Sequence, residues 1–177
     1  MDSMQFNPFE DRLSRDIRND LSETIIEALH NRSLAETEKV AQSYLSQNLS
    51  SIYTDYIDKR LKCYAMALET LHADSSLLVQ AAAFWDLGLF FEVHEILEPA
   101  WMRADGDQKR LLQALIRAAG VYINLEFGYR QRAQKIGAKT LPVLKELKKE
   151  TTGSMDTDAL IEALETLAIE PPKISPC

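Results

Sequence analysis

The sequence predicts an all-α protein. Apolar residues recur at spacings of three and four through most of its 177 residues, and no alternating period-2 run bounded by turn residues stands out. Six glycines and six prolines act as punctuation: Gly88, Gly106, Gly128 and Gly153 fall between periodic segments, and Pro8, Pro171, Pro172 and Pro176 near the ends. The expected architecture is a bundle of about eight helices built from antiparallel hairpins.

The first helix is expected over Phe9–Arg32, with Leu13, Ile17, Leu21, Ile25 and Leu29 four residues apart on one face. Ser33, followed three residues on by Glu36, reads as a capping box that opens a second helix to about Leu49. A third, from about Ser51 to His72, carries Ile52, Tyr56, Leu61, Tyr64, Ala65, Leu68 and Leu71. Asp74 or Ser75 is expected to cap a fourth, Leu77–Leu87, which Gly88 ends. The fifth begins at Phe90, and the sixth spans Lys109–Phe127 and closes at Gly128. The seventh runs from Arg130 to about Lys149, bent or broken by Pro142, which lacks an amide hydrogen and crowds the preceding turn. Asp156 caps a last helix that turns Leu160, Ile161, Leu164 and Leu167 inward, and the Pro-rich tail from Glu170 is expected to fray. The organisation expected is an N-terminal extension over 1–75, a core over 76–150, and a C-terminal helix and tail over 151–177. Trp85-Asp86-Leu87-Gly88 and Leu125-Glu126-Phe127-Gly128 form a weak repeat 40 residues apart, a faint likeness to tetratricopeptide hairpins.

Composition narrows the function. A formal charge of −7 argues against a general nucleic-acid binder. Residues 103–149 carry 11 Lys/Arg against 4 Asp/Glu, a basic stretch expected to dock on acidic helices of the same molecule. No apolar run approaches the ~18 residues of a membrane span, and no signal peptide is visible. With only Cys63 and Cys177, in no metal-binding or redox spacing, a cytoplasmic setting is expected; nothing demands that the two pair.

The chemistry gathers in Phe90-Phe91-Glu92-Val93-His94-Glu95-Ile96-Leu97-Glu98-Pro99-Ala100-Trp101. At 100° per residue, Val93, Leu97 and Trp101 face the core, and His94 and Glu98 form an i, i+4 pair at its edge. Glu95 is marginal and Glu92 is expected in solvent. Pro99 leaves the Glu95 carbonyl without its helical partner. The sixth helix is apolar nearly all round except for a line of Gln113, Arg117 and Asn124, beside Gly120. Burying that line unpaired would cost several kcal/mol, so it is expected to meet His94 and Glu98. Two readings stand. In one, a buried His94–Glu98–Arg117–Gln113 network, with the aromatics Phe90, Phe91, Trp101 and Tyr122 around it, fixes the helix pair or receives a small molecule or peptide. In the other, His94-Glu95-x-x-Glu98 follows the outline of the zinc-hydrolase helix: His94 and Glu98 hold a divalent metal and Glu95 acts as general base.

The block Gly88-x-Phe90-Phe91-Glu92-Val93-His94-Glu95-Ile96-Leu97-Glu98-Pro99-x-Trp101, with Leu111-Leu112-Gln113-Ala114-Leu115-Ile116 and the later Gly128, resembles the domain of unknown function 309 family of prokaryotes over roughly residues 77–145. The resemblance implies a small helical bundle and a metal-dependent hydrolase, with Glu92, His94, Glu95, Glu98, Trp101 and Gln113 as the residues carried over. The chain departs from the pattern at Ala114, where Gly is usual, at Arg117, where an apolar or amide residue is common, and at Ile123, where relatives often have a histidine that would add a ligand. Binding or scaffolding is the lead expectation, with a peptide or a second copy of the chain in a groove of stacked hairpins as one form of it, and metal-dependent hydrolysis the alternative.

Overall fold

The computed structural model describes residues 5–176, and every regular element among them is helical. Cys177, and with it the pairing considered for Cys63, lies outside the described residues; Cys63 is half-buried with a free thiol. No helix among the described residues is long and apolar enough to cross a membrane. The chain divides into two compact units, residues 1–73 and 74–177.

The first unit holds α1 (Arg12–Glu23), α2 (Ile25–Asn31), α3 (Ala35–Leu45) and α4 (Ser51–Thr70). The single helix expected over Phe9–Arg32 is divided at Thr24, whose hydroxyl turns back to the Leu21 carbonyl at 2.7 Å and meets the Thr37 hydroxyl at 2.6 Å. A threonine that bonds its own backbone competes with the helical ladder, and here it also ties the break to α3. Asp11 caps α1, accepting from the Leu13 and Ser14 amides, the Ser14 hydroxyl at 2.6 Å and the Tyr53 hydroxyl at 3.0 Å. The capping box does not form. The Ser33 hydroxyl accepts from the Ala35 amide at 3.2 Å and Glu36 pairs with Lys39, so Leu34 stands at the cap of α3, which ends at Leu45. Of the expected residues of α4, Tyr64 and Leu68 are buried, with Leu71 just beyond the helix; Tyr53, Ile57 and Ala67 are buried beside them, and Ile52, Tyr56 and Leu61 are partly buried. Ile17, Leu21, Ala41, Tyr53 and Ile57 are the centre of this unit's core.

The second unit holds α5 (Leu77–Asp86), α6 (Phe90–Arg103), α7 (Gly106–Glu126), α8 (Arg130–Leu147), a 3-10 turn over Lys148–Thr151, and α9 (Thr157–Thr166). Ser76, and not Asp74 or Ser75, caps α5, its hydroxyl accepting from the Val79 amide. The weak repeat has a local cause. After α5 the Gly88 amide bonds the Trp85 carbonyl at 2.8 Å and the Leu89 amide the Phe84 carbonyl at 2.9 Å; after α7 the Gly128 and Tyr129 amides bond the Leu125 and Asn124 carbonyls at 3.1 and 2.8 Å. Both are Schellman caps, which require a left-handed residue that glycine supplies at φ +73° and +79°. The recurrence marks two helix ends of the same geometry.

Helix α7 packs against both α6 and α8. Ala114, Ala118 and Ala119 are buried on α7 and Ala133 and Gly137 on α8, where a Cβ at Gly137 would meet Val121 of α7 at 3.8 Å. Pro142 does not break α8 and Pro99 does not break α6; both helices run through them. Part of the basic stretch pairs within the unit: Lys145 with Glu165 at 2.5 Å, Lys148 with Asp158 at 2.8 Å, and Arg110 with Asp107 and Glu146. Arg132, Lys135 and Lys139 stay exposed.

The tail is not frayed. Ile174 is buried, its amide bonds Asp86 Oδ1 at 2.7 Å, and its carbonyl accepts from the Asp156 amide at 2.8 Å. Asp156 caps α9 as expected, accepting from the Ala159 amide at 2.9 Å.

Candidate functional site

Two aromatic contacts set how α6 and α7 face each other. At one end the Lys109 ammonium stands 5.4 Å from the Trp101 ring centre; at the other Phe90 stacks on Tyr122, centroids 5.4 Å apart. The helices are therefore antiparallel. The stretch of α6 holding His94, Glu95 and Glu98 and the stretch of α7 holding Gln113 and Arg117 both fall between these anchors. All five side chains are half-buried.

On α6, His94 Nδ1 lies 3.2 Å from Glu95 Oε1, and the His94 ring stacks beside Phe91 with centroids 6.1 Å apart. The imidazole's close carboxylate is thus Glu95, where the sequence pointed to Glu98. One donor atom each from His94, Glu95 and Glu98 falls within a set whose members lie no more than 4.8 Å apart. Glu95 belongs to this group and not to a marginal outer position. Pro99 leaves the carbonyl of Glu95 without the amide four residues on, which adds acceptor capacity to the same turn.

Glu92 differs most from expectation. It is fully buried, not solvated. It stands in the first turn of α6, where the positive end of the helix dipole favours a carboxylate, and the helical wheel misplaced it by assuming only one packed wall. Asn124 is buried too, but its amide donates to the Gly120 carbonyl of its own helix at 2.7 Å, so it is satisfied without α6. No hydrogen bond or ion pair joins Glu98 to Arg117 or Gln113 among the described residues, so the charge-assisted pair expected from the sequence does not form.

The indole N–H of Trp101 and the hydroxyl of Tyr122 are buried without an acceptor among the described residues. Burial pushes the Tyr122 phenol up to about 12. Lys109 was not among the residues singled out from the sequence, although it stands four residues before Gln113 and eight before Arg117, on the same line of the helix. A separate cleft of about 470 Å3, bordered by Ser76, Leu77, Gln108, Leu111 and Glu150, contains none of these side chains. The large apolar side chains left exposed among the described residues, Ile26, Met66, Met102 and Ile169, lie on four different segments.

Residues 78–136 match the family model described as Domain of unknown function (DUF309). Over these residues, a third of its length, the chain is similar to that family. No curated protein and no solved structure matches the chain. The DUF309 match spans α5, α6, α7 and the first third of α8, so it contains every residue of the polar site. The Asp156–Ile174 segment lies beyond it.

Proposed function

We propose that the DUF309-like region binds a divalent cation through His94, Glu95 and Glu98, and that this is a binding site more than a catalytic one. The observation carrying this reading is the 4.8 Å limit on the distances between the three donor atoms. A cation held by imidazole and carboxylate at ~2.1 Å sets its donors ~3 to ~4 Å apart, so small side-chain rotations suffice. The chemistry of the set, one imidazole and two carboxylates, suits zinc, manganese or iron. Neither glutamate is drawn off by Arg117, and half-burial leaves room for water or an outside ligand.

The hydrolase reading keeps His94 and Glu98 as ligands and Glu95 as a free base. The 3.2 Å contact between Glu95 and His94 supports counting Glu95 among the donors, which leaves two ligands too few and no independent base. A bound cation would supply Lewis acidity; His94 would be oriented by its carboxylate neighbour. A reducing, cytoplasmic setting suits the free Cys63 thiol.

Metal analysis of untagged protein tests this. Near-stoichiometric zinc, manganese or iron is expected, lost in both His94→Ala and Glu98→Gln. At a free metal concentration of ~100 times Kd the wild type should gain about 2.7 kcal/mol of stability, and the variants none. Equal uptake or equal stabilisation in all three proteins would overturn the proposal.

A further inference from the structure

The segment after α9 is held by side chains that read a peptide backbone. From Leu167 the chain turns back, and the Ile174 carbonyl reaches the Asp156 amide at the opposite end of α9. A ten-residue helix is about 15 Å long, a span that seven extended residues cover easily. Along it, the Trp85 indole donates to the Pro172 carbonyl at 3.0 Å. The two carboxylate oxygens of Asp86 accept successive amides, Ile174 at 2.7 Å and Ser175 at 3.1 Å. The Lys173 ammonium bonds the Asp86 carbonyl. The Ile174 side chain is 2% exposed.

Every one of these contacts is addressed to main-chain groups or to a single aliphatic anchor. Pro171 and Pro172 have no amide hydrogens to satisfy, and their fixed φ lowers the entropy lost on ordering the segment. This is how peptide-binding grooves work: main-chain hydrogen bonds give affinity and a buried side chain gives selectivity. Asp86, the last residue of α5, is a carboxylate at the helix end that disfavours it; the two amides and the lysine offset that cost.

We propose that the groove formed by Trp85, Asp86 and Asp156 is a recognition site for the C-terminal segment, and that it accepts this segment from a second copy of the chain as well as from its own. Three observations favour that occupant. Its complementarity is already displayed contact by contact. It follows the left-handed cap of α9, Leu167 at φ +48°, through Ala168, whose amide bonds the Ala163 carbonyl at 3.0 Å, and the exposed pair Ile169 and Glu170. Ile169 is 76% exposed, a large apolar group that the closed arrangement leaves in water. Exchange of an identical segment repeats the same contacts and so costs little. Tethering gives the resident segment an effective concentration of order millimolar, so the exchanged dimer grows in with protein concentration.

Complementation between two full-length variants tests this. Asp86→Ala disables the groove and leaves the tail intact; Ile174→Asp does the reverse. Each alone should sediment as a monomer, and an equimolar mixture at ~100 µM, within reach of that effective concentration, should give a 1:1 dimer by sedimentation velocity and native mass spectrometry. The Asp86→Ala/Ile174→Asp double variant should form none with Asp86→Ala, which offers no groove. A monomeric mixture of folded single variants would overturn the proposal, as would dimerisation of the double variant with Asp86→Ala. If Asp86→Ala loses its helical circular dichroism, Asp86→Asn replaces it. Unfolding of both would also overturn the proposal, because the segment would then be part of the core and not a detachable ligand.

Discussion

Replacing Tyr122 by phenylalanine should stabilise the second unit. Tyr122 is 2% exposed, stacked on Phe90 at 5.4 Å and edge-on to Trp85 at 5.1 Å, and its hydroxyl has no acceptor among the described residues. Phenylalanine keeps both ring contacts, which account for roughly 0.5–1.5 kcal/mol each. It removes a buried hydroxyl whose lost hydration costs about 1–3 kcal/mol. A net gain of about 1–2 kcal/mol, divided by a urea m-value of about 2 kcal/mol/M, moves the midpoint up by roughly 0.5–1 M. Urea titration followed by far-ultraviolet circular dichroism at neutral pH measures it. The advantage should widen in alkali. An unfolded phenol titrates near ~10, whereas burial pushes Tyr122 up to about 12. Between those values the unfolded chain gives up a proton that the folded chain retains, so wild-type stability falls as pH rises through that window. Tyr44 and Tyr53, also raised by burial and by their Asp20 and Asp11 partners, keep a shallower alkaline loss in the variant. A variant less stable than wild type at unchanged m would refute the reasoning, because the hydroxyl would then be bonded within the fold.

Other outcomes follow from single positions. Pro142 is exposed in the interior of α8 and withholds one amide from its ladder, so Pro142→Ala should raise stability by about 1–3 kcal/mol in thermal melts. Gly137→Ala should add about 0.5–1 kcal/mol, since its new methyl would meet Val121 at 3.8 Å and Leu167 at 3.9 Å in ordinary contact; a loss would mean that α7 and α8 cannot accept even that. Asp11→Ala should cost the first unit about 1–2 kcal/mol through the lost cap. The Ser14 hydroxyl, then the Ser14 amide, Tyr53 and the Leu13 amide hold the Asp11 carboxyl below its usual value. Its contribution is therefore present above pH ~4 and lost as pH falls through the lowered value, and the variant's acid unfolding should be correspondingly less steep.

What the sequence disclosed is what local chemistry decides. Gly88, Gly128 and Asp156 announce helix ends because each needs only its own neighbours to form a cap. The heptad-like spacing of Ile17 and Leu21, and of Val93 and Leu97, marks buried faces for the same reason. The break at Thr24 depends on Thr37, and the seating of the tail on Asp86, partners 13 and 88 residues away that no local pattern carries. In the polar site, the His94–Glu95–Glu98 cluster could be foreseen as a neighbourhood from helical geometry alone. The contact of the imidazole with Glu95, the burial of Glu92 and the lack of an Arg117–Glu98 pair among the described residues could not, because rotamers and tertiary packing decide them.

The chain has two tryptophans in different contacts: the Trp85 indole donates to the Pro172 carbonyl, and Trp101 lies beneath Lys109 on α6, the helix that carries the proposed cation ligands. Their emission is therefore a two-channel reporter. In Trp101→Phe protein the remaining signal is expected to follow the segment after α9, red-shifting if that segment departs, and in Trp85→Phe protein to respond to added cation, so both proposals are open to unlabelled spectroscopy.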